Sequence, residues 1–252
     1  MNVNTLNCNN NVADSVVLPP QMNNILLWYD SAQYKEPGLG SNITKLYDRS
    51  GNGHTMAQTT VANQPANAVL AGEFGGRRVT YFDSFEDRFG SGDDSLLTGT
   101  VDLEDCFGES GSLNDDPSWS IAYVNAVVSG AYKTTILKLE ATAGSAEIEV
   151  MEDGSGVTDG ISLQVISDTV SDMDECGGDF IAANTPRVNI VSSNRTGAGT
   201  STLQVMSNGS SLTWDDGGTT SNTLEFGVFT NINKLTLGLN DGGSYPNLSY
   251  LA

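Results

Sequence analysis

Three carboxylates fall within one short run, Glu147-Ile148-Glu149-Val150-Met151-Glu152. Paired carboxyls are the equipment of glycoside hydrolysis, and a retaining pair sits about 5–5.5 Å apart. Side chains two residues apart on a strand share one face. Glu147 and Glu152 could act as nucleophile and acid/base only if a bulge brought Glu152 onto the face of Glu147. No aromatic sugar platform follows them closely, because the only later tryptophan is Trp214, and the sole histidine, His54, lies well upstream. An exposed strand face in an acidic protein is the favoured reading. No catalytic residue is assigned.

Metal chemistry is the next candidate. Asp172, Asp174 and Gly177 match part of a calcium loop, but Cys176 and Ala183 stand where ligands are needed and Asp168 lies outside it, so the pattern fails. Asp93/Asp94, Asp115/Asp116 and Asp215/Asp216 are doublets that read as solvated turns. A Ca²⁺ ion held between two such loops is the one cofactor the pattern allows, and no ligand pair is assigned. A nucleophilic triad needs a histidine beside Ser or Cys, and His54 sits in a Gly-rich turn that favours a turn-bonding role. Gly38-x-Gly40 lacks the rest of a phosphate-cradling fingerprint. Trp28 and Trp119 fall in apolar strand patterns and are expected to fill a core. That leaves Trp214, next to Asp215 and Asp216, as the expected ligand-binding loop.

The positioning elements follow from composition. The chain has 252 residues, 38% hydrophobic and only 17% charged, with 28 glycines. Such a balance favours short strands joined by tight turns over helices. The net charge is −20, from 31 acidic and 11 basic residues, a field that repels phosphate backbones and anionic membranes. Nucleic acid and membrane are therefore not expected partners. Cys8, Cys106 and Cys176 have neither metal-ligand spacing nor a disulfide framework. No signal-peptide pattern opens the chain, and no run approaches roughly 18 consecutive apolar residues. The expected site of synthesis is a cytoplasm.

Residues 1–20, Asn-rich and ending in Leu18-Pro19-Pro20, read as an N-terminal arm, with one domain over residues 21–252. Strands are expected at Ile25–Tyr29, Ile43–Tyr47, Val79–Phe82, Trp119–Val128, Ile136–Leu139, Ile148–Met151 and Ile161–Ile166. Val188–Val191 and Thr202–Met206 flank a hairpin-like loop over Asn194–Thr200, and Ser207-Asn208-Gly209-Ser210 is a tight turn. Leu224–Phe226, Leu235–Gly238 and a closing strand over Tyr245–Leu251 complete the set. The uncharged closing segment and the arm are the expected protein contacts, since open edges are usually blunted by charge. Between the first two strands and Pro65, the turn Asp48-Arg49-Ser50-Gly51-Asn52-Gly53-His54 is dense in side chains that bond their own backbone. Asp30, Asp48 and Ser50 are expected to cap backbone N–H groups there.

Residues 25–65 resemble the opening of concanavalin A-like domains of laminin-G/pentraxin type, particularly those of phage and bacterial surface proteins. The matching residues are Leu27, Trp28, Asp30, Ser31 and Ala32, then Tyr47 in place of a Trp, Asp48, Ser50 to Gly53, Ala57, Gln58 and Pro65. The resemblance implies an all-β fold, a two-sheet antiparallel sandwich of the jelly-roll type. Jelly-roll glucanases carry E-I-D-x-x-E, and here Glu149 replaces the central Asp, crowding the pair. The implied function is a structural, decoration or appendage protein of a bacteriophage virion, not an enzyme. Its implied partners are other virion proteins or copies of itself, and glycans of cell surfaces or the environment. A glycan-active hydrolase or a secreted-type carbohydrate-binding lectin is the alternative.

Overall fold

The computed structural model describes residues 25, 27–31, 42–51, 54–61, 64–69, 74, 76–82, 118–127, 133–141, 147–153, 160–166, 171–177, 185–197, 200–214, 223–225, 232–238 and 249–251. They contain strands and no α-helix. In chain order these are β1 (Lys45–Leu46), β2 (Met56–Ala57), β3 (Ala66–Val69), β4 (Arg78–Phe82), β5 (Trp119–Val127) and β6 (Lys133–Ala141). There follow β7 (Glu147–Asp153), β8 (Gly160–Ile166), β9 (Ser171–Gly177), β10 (Arg187–Gly197) and β11 (Thr200–Ser207). The last five are β12 (Ser210–Ser211), β13 (Thr213–Trp214), β14 (Thr223–Glu225), β15 (Ile232–Leu237) and β16 (Ser249–Leu251).

Two antiparallel sheets carry the fold. The larger runs β12-β11-β10-β5-β16-β4-β3, with β14 also paired to β11, and the smaller runs β13-β9-β8-β7-β6-β15. β1 and β2 form a separate ribbon. The chain meanders from β6 to β9 within the smaller sheet, changes sheets between β5 and β6, β9 and β10, and β12 and β13, and then crosses at every step from β13 to β16. The core lies between the sheets. Phe82, Val191, Leu203 and Val205 come from the larger one, and Leu139, Ile148, Val150, Leu163, Val165 and Leu235 from the smaller. In β8, Ile161, Leu163 and Val165 face that core, while on the other side Ser162 is buried and Gln164 half-buried.

The all-β antiparallel sandwich expected from the sequence is the observed fold. The Asn208-Gly209 turn is a two-residue hairpin with both residues at positive φ, 49° and 81°, closing the Ser207–Ser210 pair. Several local expectations are corrected. Residues 27–30 form no strand, because isolated bonds replace a ladder: Trp28 N donates to Asp48 and Trp28 O accepts from Arg49 N. The loop expected over Asn194–Thr200 is shorter, since β10 and β11 stay paired as far as Gly197 and Thr200. The acidic stretch Ser171–Gly177 is strand β9, held between β8 and β13. The closing strand is no sheet edge, because β16 pairs with β4 on one side and β5 on the other. The arm, residues 1–20, lies outside the described residues.

Candidate functional site

The Asp48 turn is built as its residue types require. Asp48 Oδ1 accepts from Trp28 N at 3.1 Å and Ser50 N at 2.9 Å, and Oδ2 from Ser50 Oγ at 2.7 Å and His54 N at 3.0 Å. Tyr29 Oη donates to the His54 carbonyl at 2.5 Å, so the sole histidine serves the turn through its backbone. Burial raises the Asp48 pKa, but the bonds from the Ser50 hydroxyl and from Ser50, His54 and Trp28 N–H groups outweigh it and hold the carboxyl below its usual range. In the preceding loop Ser31 bonds inward, its hydroxyl 2.7 Å from Thr80 Oγ1. Asp48→Ala should cost about 1–2 kcal/mol, the scale of hydrogen bonds to a charged acceptor. Because the native pKa is depressed, this stabilisation is present above the unfolded-state value of about 3.9 and is lost as pH falls through the native one. Urea unfolding at neutral and acid pH checks both, and equal midpoints for the two proteins at pH 7 would contradict the capping role.

The three carboxylates of β7 are not one site. β7 pairs with β8 without a register shift from Glu147–Ile166 to Asp153–Gly160, so no bulge interrupts it there. The bulges of this sheet lie instead in its pairings at Thr135/Leu137 and Ile232/Lys234. An odd separation of five then puts Glu147 and Glu152 on opposite faces. The expected exposed strand face is corrected as well, since Glu149 is 3% and Glu152 1% exposed.

Glu152 points between the sheets and meets the larger one. Its Oε2 accepts from Arg187 Nη2 at 2.9 Å, and its Oε1 from Asn189 Nδ2 at 2.9 Å and Tyr123 Oη at 3.2 Å. Asn189 Nδ2 also reaches Asn125 Oδ1 at 3.0 Å. The register makes this possible: β10 lies against β5 with Arg187 opposite Asn125 and Asn189 opposite Tyr123, placing all four side chains together. Burial raises the Glu152 carboxyl above its usual range, opposed but not overcome by Arg187, Asn125 and Tyr123. Burial first, and the Glu152 charge next, drive the Tyr123 phenol well up. Such a network is a cross-sheet pin, and its carboxylate is buried from solvent.

On the opposite face, Lys138 Nζ bridges Glu147 Oε2 at 2.8 Å and Glu140 Oε2 at 3.5 Å, Lys234 pairs with Glu140, and Thr135 Oγ1 donates to Glu149. Glu140 and Glu147 are direct cross-strand neighbours, a repulsive placement that the two lysines neutralise. Trp214, expected in a binding loop, is in strand β13, opposite Cys176 of β9. Asp215 and Asp216 lie outside the described residues, as do Asp93, Asp94, Asp115 and Asp116. Among the described residues no group of three or more His, Cys, Asp or Glu side chains converges on a metal position.

Arg187, Asn189, Asn125 and Tyr123 are the functional-type residues that sequence reasoning missed. Their only signal was a charged or amide side chain alternating with apolar ones.

No protein-family model matches this chain, and no curated protein matches it in sequence. Among solved structures it is similar to the Ruminococcus gnavus IT-sialidase CBM40, at 10% identity and TM-score 0.39, over 53% of this chain and 72% of that one. The same module bound to alpha2,3 sialyllactose is similar at 10% identity and TM-score 0.38, over 53% of this chain and 74% of that one.

Proposed function

We propose that this protein is a non-catalytic, lectin-like β-sandwich module making protein–protein and glycan contacts, as a decoration or appendage of a bacteriophage particle. The observation that carries the non-catalytic part is the separation of Glu147 and Glu152 onto opposite faces, each already ion-paired, to Lys138 and Arg187 respectively. A hydrolase would need both carboxyls on one accessible face. The phage component is supported by the Leu27–Pro65 resemblance, and the assembly component by the Asn-rich arm over residues 1–20. With the closing strand paired on both sides, the arm is left as the sequence-derived candidate for docking on a lattice or on copies of this chain.

Two measurements test the reading. Purified particles should contain the protein, and removal of residues 1–20 should leave the melting temperature of the domain unchanged while abolishing incorporation. A truncated chain that still incorporates at normal occupancy removes the arm from the mechanism. Hydrolysis of β-glucan by the intact protein, lost on Glu147→Gln, would instead restore the enzyme.

A further inference from the structure

Lys45, Tyr47 and Arg49 are all exposed, while the intervening Leu46 is 2% exposed and Asp48 is turned into its own hydrogen bonds. Exposure alternates along this stretch, in which Lys45 and Leu46 form the strand and Tyr47 to Arg49 lead from it into the turn. Their backbone is held in place. Lys45 and Leu46 pair with Ala57 and Met56, Arg49 N donates to Trp28 O at 2.8 Å, and Asp48 fixes the link between them. Tyr47 is 63% exposed, the aromatic member of the three exposed large hydrophobic residues among those described, and Val61 at 68% belongs to the same stretch of chain. Exposed Thr59 and Thr60 flank that valine.

The cations are the informative part. Lys138, Lys234 and Arg187 are each in an ion pair, whereas among the described residues Lys45 and Arg49, like exposed Arg77, have none. In a chain with 31 acidic and 11 basic residues, two cations that pair with no described acidic residue bracket one exposed aromatic ring. We propose that the Lys45–Tyr47–Arg49 stripe is the binding surface for a short carboxylate-bearing oligosaccharide; this rests on the glycan-contact reading above. A phenol ring offers an apolar face for the C–H side of a sugar and a polar edge for its hydroxyls. The flanking ammonium and guanidinium groups pair with carboxylates, Arg in bidentate fashion. A preformed backbone lowers the ordering cost of binding.

Charge decides between occupants. At physiological salt, fields are screened beyond about 8 Å, so the stripe acts on a short ligand as a local positive site. A long polyanion would also lie over the remaining surface of a molecule with net charge −20, and a second copy would bring −20 of its own.

The test is titration calorimetry of the full chain with trigalacturonate, with maltotriose as the uncharged counterpart and a triglutamate peptide as the non-saccharide anion. Trigalacturonate should bind the wild type in preference to both. Tyr47→Ala should weaken it about tenfold, and Lys45→Gln and Arg49→Gln about two- to fivefold each, as for exposed ion pairs, with melting temperatures unchanged. Trigalacturonate binding that survives all three changes overturns the site but leaves the glycan reading standing. Equal or tighter binding of maltotriose overturns the charged class, and equal or tighter binding of triglutamate overturns the saccharide. A wild type that binds no saccharide removes this inference together with the glycan part of the proposed function.

Discussion

Arg187→Leu is expected to destabilise the fold by about 3–5 kcal/mol, the range for breaking a buried ion pair by removing one partner. The side chains of Arg187 and Glu152 are 3% and 0% exposed, so the carboxylate left behind has no route to water. Tyr123 and Asn189 still donate to it, but neither carries charge. Glu152 then escapes by taking up a proton. In the wild type burial already lifts its pKa above the usual range against the pull of Arg187, and without the guanidinium it rises further.

The sign of the pH dependence follows. Below the unfolded carboxyl value of about 4.3 both states hold the proton and the contribution to stability is complete. As pH rises through the higher native value the folded state must give the proton up, and stability is lost. The variant should therefore be most stable in mild acid and weaken steadily toward neutrality. Replacing both partners, Glu152→Leu with Arg187→Leu, should recover most of the loss at pH 7. Urea midpoints for wild type, single and double variants from pH 4.5 to 8 check this. A single variant within about 1 kcal/mol of wild type at pH 7, the scale of an exposed pair, would mean that the pair is not buried.

How much of this was legible depends on whether the cause was local. The Asp48 turn was readable because its partners, Ser50 and His54, lie within six residues and their types bond backbone. Ile161, Leu163 and Val165 were readable because their alternation agrees with their burial. β10 was not. Val188 and Ile190 claim the core on hydrophobicity, yet Val188 is 49% exposed and Asn189 fully buried. A one-residue choice of register reverses every side chain, and here the long-range pairing with β5 and the carboxylate of Glu152 decide it. A residue 35 positions away in sequence left no trace near Arg187. β9 was hidden for a related reason: Ser171–Gly177 has the composition of a loop, but its backbone completes ladders to β8 on one side and β13 on the other. The E-I-E-V-M-E run misled in the opposite way, since its chemistry required a bulge that the sheet places on neighbouring strands.

Gly238→Ala is the second change expected to act strongly, by a different route. Gly238 directly follows β15 with φ at 75°, in the left-handed region where a side chain costs about 1–2 kcal/mol. Its N–H donates to the Ile136 carbonyl at 3.1 Å, which ties that conformation to the smaller sheet. A methyl group built on it would overlap the ring of Phe82, which is 1% exposed and belongs to β4 of the larger sheet. This glycine is thus the point at which one sheet approaches the other too closely for any Cβ. Overpacking of a fixed core ring adds about 1–3 kcal/mol, so the total expected loss is about 2–5 kcal/mol. The two causes separate in a second variant. Phe82→Ala combined with Gly238→Ala should relieve the overlap, since it removes every ring atom the new methyl meets, but retain the backbone cost. The alanine at 238 should therefore destabilise the Phe82→Ala variant less than it does the wild type, still by about 1–2 kcal/mol. Urea unfolding of the four proteins in that cycle gives the coupling directly. Equal costs of the alanine at 238 in both backgrounds would show that Phe82 does not pack against Gly238, and with it that the two sheets do not close on each other at this point.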